Sequence, residues 1–247
     1  MRPLLLLLVL ISPSAGADEA LVGVATNFSA VLEKLSEEFQ QETDHRISIA
    51  GGSSGKLYAQ ILNGGPYDLF LSADDALPER LARTAFGVAG SRFTYAVGRL
   101  ALWVPGEAIT STDLREVLVD DRIRRLAIAN PALAPYGVAA RNVLQALGIW
   151  PEMHGKIVMG ENIGQAYALV ATGNADAGLV AMSFLVLAGE PPGGHFIELP
   201  ASAYAPIRQD GILLAHGREN AAAIEFMVFL QGVKARELIA ASGYSVP

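Results

Sequence analysis

The chain has no cysteine. No disulfide can staple the fold, no thiolate can serve as nucleophile or metal ligand, and no lipid-acceptor cysteine stands near the N-terminus. Stability must therefore come from a buried apolar core. Cationic side chains are also short: 18 Lys and Arg face 25 Asp and Glu, a formal net charge of −7. That balance disfavours nucleic acid and anionic membrane surfaces as partners. Long apolar runs are missing too. Leu4 to Ile11 is unbroken but far short of the ~20 residues a bilayer-spanning helix needs. Met1-Arg2 before it, the Ser12-Pro13-Ser14 break and the small residues Ala15-Gly16-Ala17 after it have the form of a cleaved secretory signal. We expect residues 1–17 to be removed, leaving a periplasmic chain that begins at Asp18.

What is present alternates. Leu21 to Ala25 reads as a short strand, and Phe28, Val31, Leu32, Leu35 and Phe39 recur at helical spacing. Arg46 to Ala50 is a β-branched strand, Gly51 to Gly55 a turn, and Leu57 to Leu62 opens a helix. Asp68 to Ser72, Leu126 to Asn130, Lys156 to Met159, Ala177 to Val180 and Ile207 to Ala215 read as further strands. Helices are expected over Ala76 to Ala85, Tyr136 to Leu147, Ile163 to Thr172, Met182 to Ala188, Ala221 to Leu230 and Lys234 to Ser242. Pro191 to Gly194 reads as a loop, and Tyr95 to Val104 as one extended segment long enough to pass between two lobes. No internal repeat or low-complexity tract is evident.

This order predicts an α/β chain with mainly parallel sheets covered on both faces. We expect two lobes, 18–97 with 208–247 and 98–207, crossing near Ala96 to Leu102 and near Ile207 to Leu213. A single doubly wound domain is the alternative.

The informative residues sit where strands hand over to helices. Thr26-Asn27, Gly52-Ser53-Ser54-Gly55, Pro135-Tyr136-Gly137 and Glu161-Asn162-Ile163 each occupy such a junction. Ligands of open α/β sheets bind beyond the strand carboxyl ends, where helix starts expose unpaired N–H groups and the positive end of the macrodipole. Several converging starts form an anion cradle without formal positive charge, which an acidic protein can hold. Each junction also has a plainer reading, since Ser, Thr and Asn before a helix commonly act as N-caps.

Enzyme motifs fare poorly. Gly51 to Gly55 matches G-x-S-x-G, which would make Ser53 a hydrolase nucleophile, but His45, His154, His195 and His216 stand in no catalytic setting. Gly55-Lys56 does not complete a P-loop, because Leu57 holds the Ser/Thr position. Asp74-Asp75, Asp120-Asp121 and the four His have no metal-ligand spacing.

The series Val24 to Phe28, Gly52 to Ile61 and Tyr67 to Asp74, with Asn130-Pro131, Pro135-Tyr136-Gly137 and Glu161-Asn162-Ile163, resembles the periplasmic molybdate-binding proteins, in order over essentially the whole mature chain. The resemblance implies a two-lobed type II binding-protein fold, no enzymatic activity and no cofactor. It implies capture of molybdate or tungstate for an ATP-driven membrane permease, by a monomer. Thr26 and Asn27 would bind oxygens through backbone N–H and side chain, Ser54 through hydroxyl and N–H with Ser53 beside it, and Tyr136 and Ile163 from the second lobe, Ile163 by its N–H. The oxyanion would be held by hydrogen bonds, with no metal coordinated by side chains. One departure is Ala181, where some members carry a tyrosine; Tyr136 would stand in for it. A receptor for sulfate, a phosphonate or an iron–anion complex is the alternative, and a serine hydrolase a remote one.

Overall fold

The computed structural model describes residues 17–106, 111–187 and 193–247. Of the expected leader, residues 1–17, all but Ala17 lie outside the described residues, as do Ala188, Pro191 and Pro192.

Among the described residues, ten strands form two five-stranded sheets. The first holds β1 (Glu19–Ala25), β2 (Arg46–Gly52), β3 (Leu69–Leu71), β4 (Phe93–Gly98) and β10 (Ile207–Leu213), in the order β2-β1-β3-β10-β4. The second holds β5 (Leu100–Pro105), β6 (Leu126–Ala129), β7 (Ile157–Gly160), β8 (Ala177–Ala181) and β9 (Gly194–Glu198), in the order β7-β6-β8-β5-β9. In each sheet one strand alone runs against the rest: β10 pairs antiparallel with both its neighbours, and so does β5. Both sheets are therefore mixed: four of the five strands in each run the same way, as expected, but two of the four pairings in each are antiparallel. Each reversed strand is the one that has just arrived from the other sheet. The two lobes therefore share one topology, although no sequence repeat betrays it.

Residues Tyr95 to Val104 cross between lobes as expected, but as two strands broken at Arg99 rather than one. The return crossing falls between Glu198 and Ile207, ahead of β10, which lies wholly in the first sheet.

Helices cover both faces. On the first sheet, α1 (Ser29–Glu42), α9 (Ala221–Leu230) and α10 (Val233–Ala241) close one side, with Val22, Val24, Leu35, Leu69, Leu71 and Phe226 in the shared core. On the other side lie α2 (Ser54–Leu62) and α3 (Ala76–Ala82), where Leu57, Ile61, Phe70, Leu81 and Ile212 meet. Leu69 and Leu71 facing one core and Phe70 the other is the period-two signature of a strand buried on both faces. The second sheet is covered by α4 (Leu114–Val119), α5 (Pro135–Ala146), α6 (Trp150–Met153), α7 (Ile163–Ala171) and α8 (Met182–Leu187). The short helices α4 and α6 and the edge strand β9 escape the sequence reading. Four to six residues carry too little periodicity to register.

Candidate functional site

Four helix starts converge on the gap between the lobes. Thr26 opens a 3-10 turn (Thr26–Phe28) directly after β1, and Ser54 opens α2 directly after β2. From the second lobe come Pro135-Tyr136 at the start of α5 and Ile163 at the start of α7. Together with Ala25, Gly52, Ala73 and Ala134, the residues Thr26, Asn27, Ser53, Ser54, Tyr136, Asn162 and Ile163 wall one small, tightly closed cavity of about 10 Å³. All six residues singled out in the sequence line it. Asn162 is an addition.

The capping explanation fails at three of the four starts. Ser53 stands at the N-cap of α2, yet its hydroxyl caps nothing, and Ala25 and Ala134, at the caps of the 3-10 turn and α5, have no side chain able to cap. Of the four, Asn162 alone caps, accepting from the Gln165 N–H at 3.0 Å. First-turn N–H groups without side-chain caps, aimed into a cavity, supply positive potential with no cation.

The side chains sort into engaged and free. Thr26 Oγ1 donates to the Gly52 carbonyl at 3.0 Å, and Asn27 Nδ2 gives its protons to Gln209 Oε1 at 2.9 Å and Tyr244 Oη at 3.0 Å. Their donors are thus occupied, leaving these two residues only their backbone N–H groups to offer an anion, while Asn27 Oδ1 is buried with no hydrogen-bond partner among the described residues. Ser54 Oγ accepts from the Ala73 N–H at 3.0 Å and keeps its own proton. Ser53 Oγ is buried without any hydrogen-bond partner among the described residues, a state that normally marks a missing ligand or water. Tyr136 is buried, and its hydroxyl accepts from Gln209 Nε2 at 3.2 Å. Burial pushes the Tyr136 phenol well above its usual range, with Tyr244 nearby adding to the effect, so it stays protonated and able to donate.

Among the described residues, no Lys or Arg lines the cavity. Lys56 is the nearest candidate by sequence, but it is half exposed and pairs with Glu161 across the mouth. Other contacts also bridge the lobes: Gly55 N–H donates to the Leu133 carbonyl at 3.0 Å, and Ser183 Oγ donates to the Asn27 carbonyl at 3.2 Å. The lobes are closed on each other. A wider groove of about 360 Å³ lies beside the cavity, lined mostly by apolar residues such as Leu77, Pro131 and Val138. Beside Arg208 and Asn142 it carries the carboxyl groups of Asp74 and Asp75, which disfavour an anion, and all six residues singled out in the sequence line the smaller space instead.

Behind the cavity is a buried polar network that the sequence reading missed. Gln209 on β10 touches Asn27, Tyr95 and Tyr136, while Tyr244 touches Asn27 and Ser183. A signal was available, because the polar run Arg208-Gln209-Asp210 interrupts the apolar residues of β10. Gly98, at the end of β4, makes the space: a Cβ there would stand 2.3 Å from Tyr136 Oη.

The hydrolase reading finds no support, since a nucleophile needs a base and Ser53 Oγ has no partner among the described residues. Among the same residues, no three His, Cys, Asp or Glu side chains gather as a metal site requires.

Two α/β lobes joined by two crossings, closed over a small cavity of converging donors, define a solute-binding protein of the type II kind. Residues 20–245 match the family model for bacterial extracellular solute-binding proteins. The chain is 43% identical over 237 residues to the molybdate-binding protein ModA of Azotobacter vinelandii, covering 96% of this chain and 94% of that one. It is 40% identical to ModA of Rhodobacter capsulatus, covering 93% and 89%. The solved periplasmic molybdate-binding protein of A. vinelandii superposes with a TM-score of 0.88 at 40% identity, over 92% of this chain and 99% of that one. The chain belongs to the bacterial extracellular solute-binding proteins and, within them, to the ModA family of molybdate-binding proteins. These are binding proteins and not enzymes.

Proposed function

We propose that this chain is a periplasmic receptor that captures molybdate, and also tungstate, and hands it to an ATP-driven membrane permease. The observation that carries the proposal is a closed cavity walled by four helix starts, three of them without a side-chain cap, and by hydroxyls that keep a proton to donate, with no cationic side chain among its described lining residues.

An unprotonated tetrahedral oxyanion is acceptor-only, so a wall of donors accepts it and disfavours an oxyanion that carries a proton. The donors assigned to it are the N–H groups of Thr26, Asn27, Ser54 and Ile163 and the hydroxyls of Ser53, Ser54 and Tyr136. Charge-assisted bonds are worth roughly 1.5–3 kcal/mol each, enough in sum to outweigh desolvation and the ordering of the lobes. Sulfate has the same charge and shape but shorter bonds. A cavity fixed by the network behind it would leave sulfate badly aligned with several donors.

The lobe division 18–97 with 208–247 and 98–207 belongs to this reading, supported by the membership of the two sheets except at its edges, where Gly98 and Ile207 belong to strands of the first. Removal of residues 1–17 on export and action as a monomer belong to it as well. Calorimetry with molybdate, tungstate, sulfate and phosphate tests it. Tight binding of the first two and weak or no binding of the others is expected; tight sulfate binding with none of molybdate would refute it.

A further inference from the structure

Gln209 is fully buried on β10, at a point where the ladder with β4 slips: Gln209 faces Ala96, yet Asp210 faces Thr94. The residue skipped is Tyr95 on β4, and Gln209 and Asp210 are both buried because helices cover both faces of this sheet. The strand returns here from the second lobe, so Gln209 reaches residues of both.

A hydroxyl can donate or accept, and a cavity for an acceptor-only ion needs Tyr136 to donate. The hydrogen bonds around Gln209 decide the matter through a fixed sequence of polarities. Tyr244 O–H donates to the Asn27 carbonyl at 2.6 Å, so its oxygen can only accept from the Asn27 side chain, which must present Nδ2, at 3.0 Å. The same Nδ2 points at Gln209 at 2.9 Å, which must answer with Oε1. Tyr95 O–H, shared with the Ser72 carbonyl, approaches that Oε1 at 3.1 Å. With Oε1 held there, Nε2 is left to donate to Tyr136 Oη at 3.2 Å. Because Tyr136 already receives a proton from Gln209, its own proton has to point elsewhere, and the hydroxyl belongs to a residue that walls the cavity.

We infer that Gln209 is a positioning residue that fixes Tyr136 as a donor toward the oxyanion, and so helps set the site's preference for unprotonated anions. It acts through Tyr136 and does not line the cavity itself. This rests on the oxyanion reading of the cavity.

The test is a double-mutant cycle read by calorimetry with molybdate, using Tyr136→Phe and Gln209→Glu. A carboxylate at position 209 cannot donate and would take the Tyr136 proton for itself. In the wild-type background Tyr136→Phe should weaken binding at least tenfold. In the Gln209→Glu background the same change should cost less than about twofold, because the donor has already been withdrawn. Repulsion between the introduced carboxylate and the anion is present in both members of that second pair and cancels. An equal loss in both backgrounds, or no loss from Tyr136→Phe in the wild type, would overturn the inference. Should Gln209→Glu fail to fold by circular dichroism, Gln209→Met supplies the second background. There the Tyr136→Phe factor should fall to less than half its wild-type value, and an undiminished factor would count against the inference. Failure of the wild-type protein to bind molybdate would instead refute the proposed function.

Discussion

Thr26 of the first lobe and Gly164 of the second meet so closely across the cleft that a Cβ on Gly164 would stand 2.5 Å from Thr26 Cγ2. Gly164 follows Ile163 at the start of α7, so this contact sets how near the Ile163 N–H can come to the Thr26 turn. Replacing Gly164 by Ala should hold the lobes apart. Overpacking of this kind costs about 1–3 kcal/mol, and here it would fall on the closed form alone. We expect roughly 10- to 100-fold weaker molybdate binding with the melting temperature of the unliganded protein nearly unchanged; calorimetry and thermal melts check both.

Ser53 and Ser54 are adjacent yet should answer differently. Ser53 Oγ has no partner among the described residues, so Ser53→Ala should weaken molybdate binding by about 1 kcal/mol or more while leaving stability the same or slightly higher. Ser54 Oγ accepts the buried Ala73 N–H, so Ser54→Ala should lose both affinity and about 1–3 kcal/mol of stability. Denaturant titration separates them. A stability loss from Ser53→Ala equal to that from Ser54→Ala would mean that Ser53 serves the fold.

Asp74 gives the chain a pH dependence. Desolvation raises its carboxyl to about 6 from 3.8, outweighing the Leu77 N–H that it accepts at 2.7 Å. Between about pH 4 and 6 the folded state thus holds a proton that the unfolded state has released. The stability contributed by protonated Asp74 is complete below pH 4 and is lost as pH rises through about 6. Asp74→Asn keeps the acceptor to Leu77 and removes the titration. Its stability relative to wild type should be about 1–2 kcal/mol higher at pH 7.5 than at pH 4.5, a range discounted for partial exposure. Melts at the two pH values check it, and a variant-minus-wild-type difference that does not change with pH would contradict it.

Much of the site was legible in the sequence because its elements are local. A strand, then a small polar residue, then an amphipathic run is a pattern within a dozen residues, and it marks Thr26, Ser53, Ser54 and Ile163 without knowledge of the fold. What stayed hidden is nonlocal. Gln209 and Tyr244 lie 182 and 217 residues from Asn27, to which they bond, and nothing in the sequence near Asn27 announces them. For the same reason the Thr26 and Asn27 side chains, expected on the ligand, are engaged elsewhere: their partners, Gly52, Gln209 and Tyr244, are distant in sequence. The break at Arg99 was invisible because β4 and β5 have the same apolar composition; only their pairing with different sheets separates them.

Lys56 tests whether formal charge takes part. Its pair with Glu161 spans the cleft but is open to solvent, where such pairs contribute little. Lys56→Met should change molybdate affinity less than about fivefold, and raising the salt concentration should alter wild-type affinity only modestly, since the donors are buried and uncharged. A hundredfold loss in Lys56→Met would assign the anion to a cation.

The most direct measurement is a crystal structure of the protein grown with molybdate. One ion is expected in the cavity between the lobes. Its oxygens should lie within hydrogen-bond distance of the Thr26 and Ile163 N–H groups and the Ser53, Ser54 and Tyr136 hydroxyls, with no Lys or Arg nitrogen among the contacts. An ion bound elsewhere, or one held in that cavity by a cationic side chain, would contradict it.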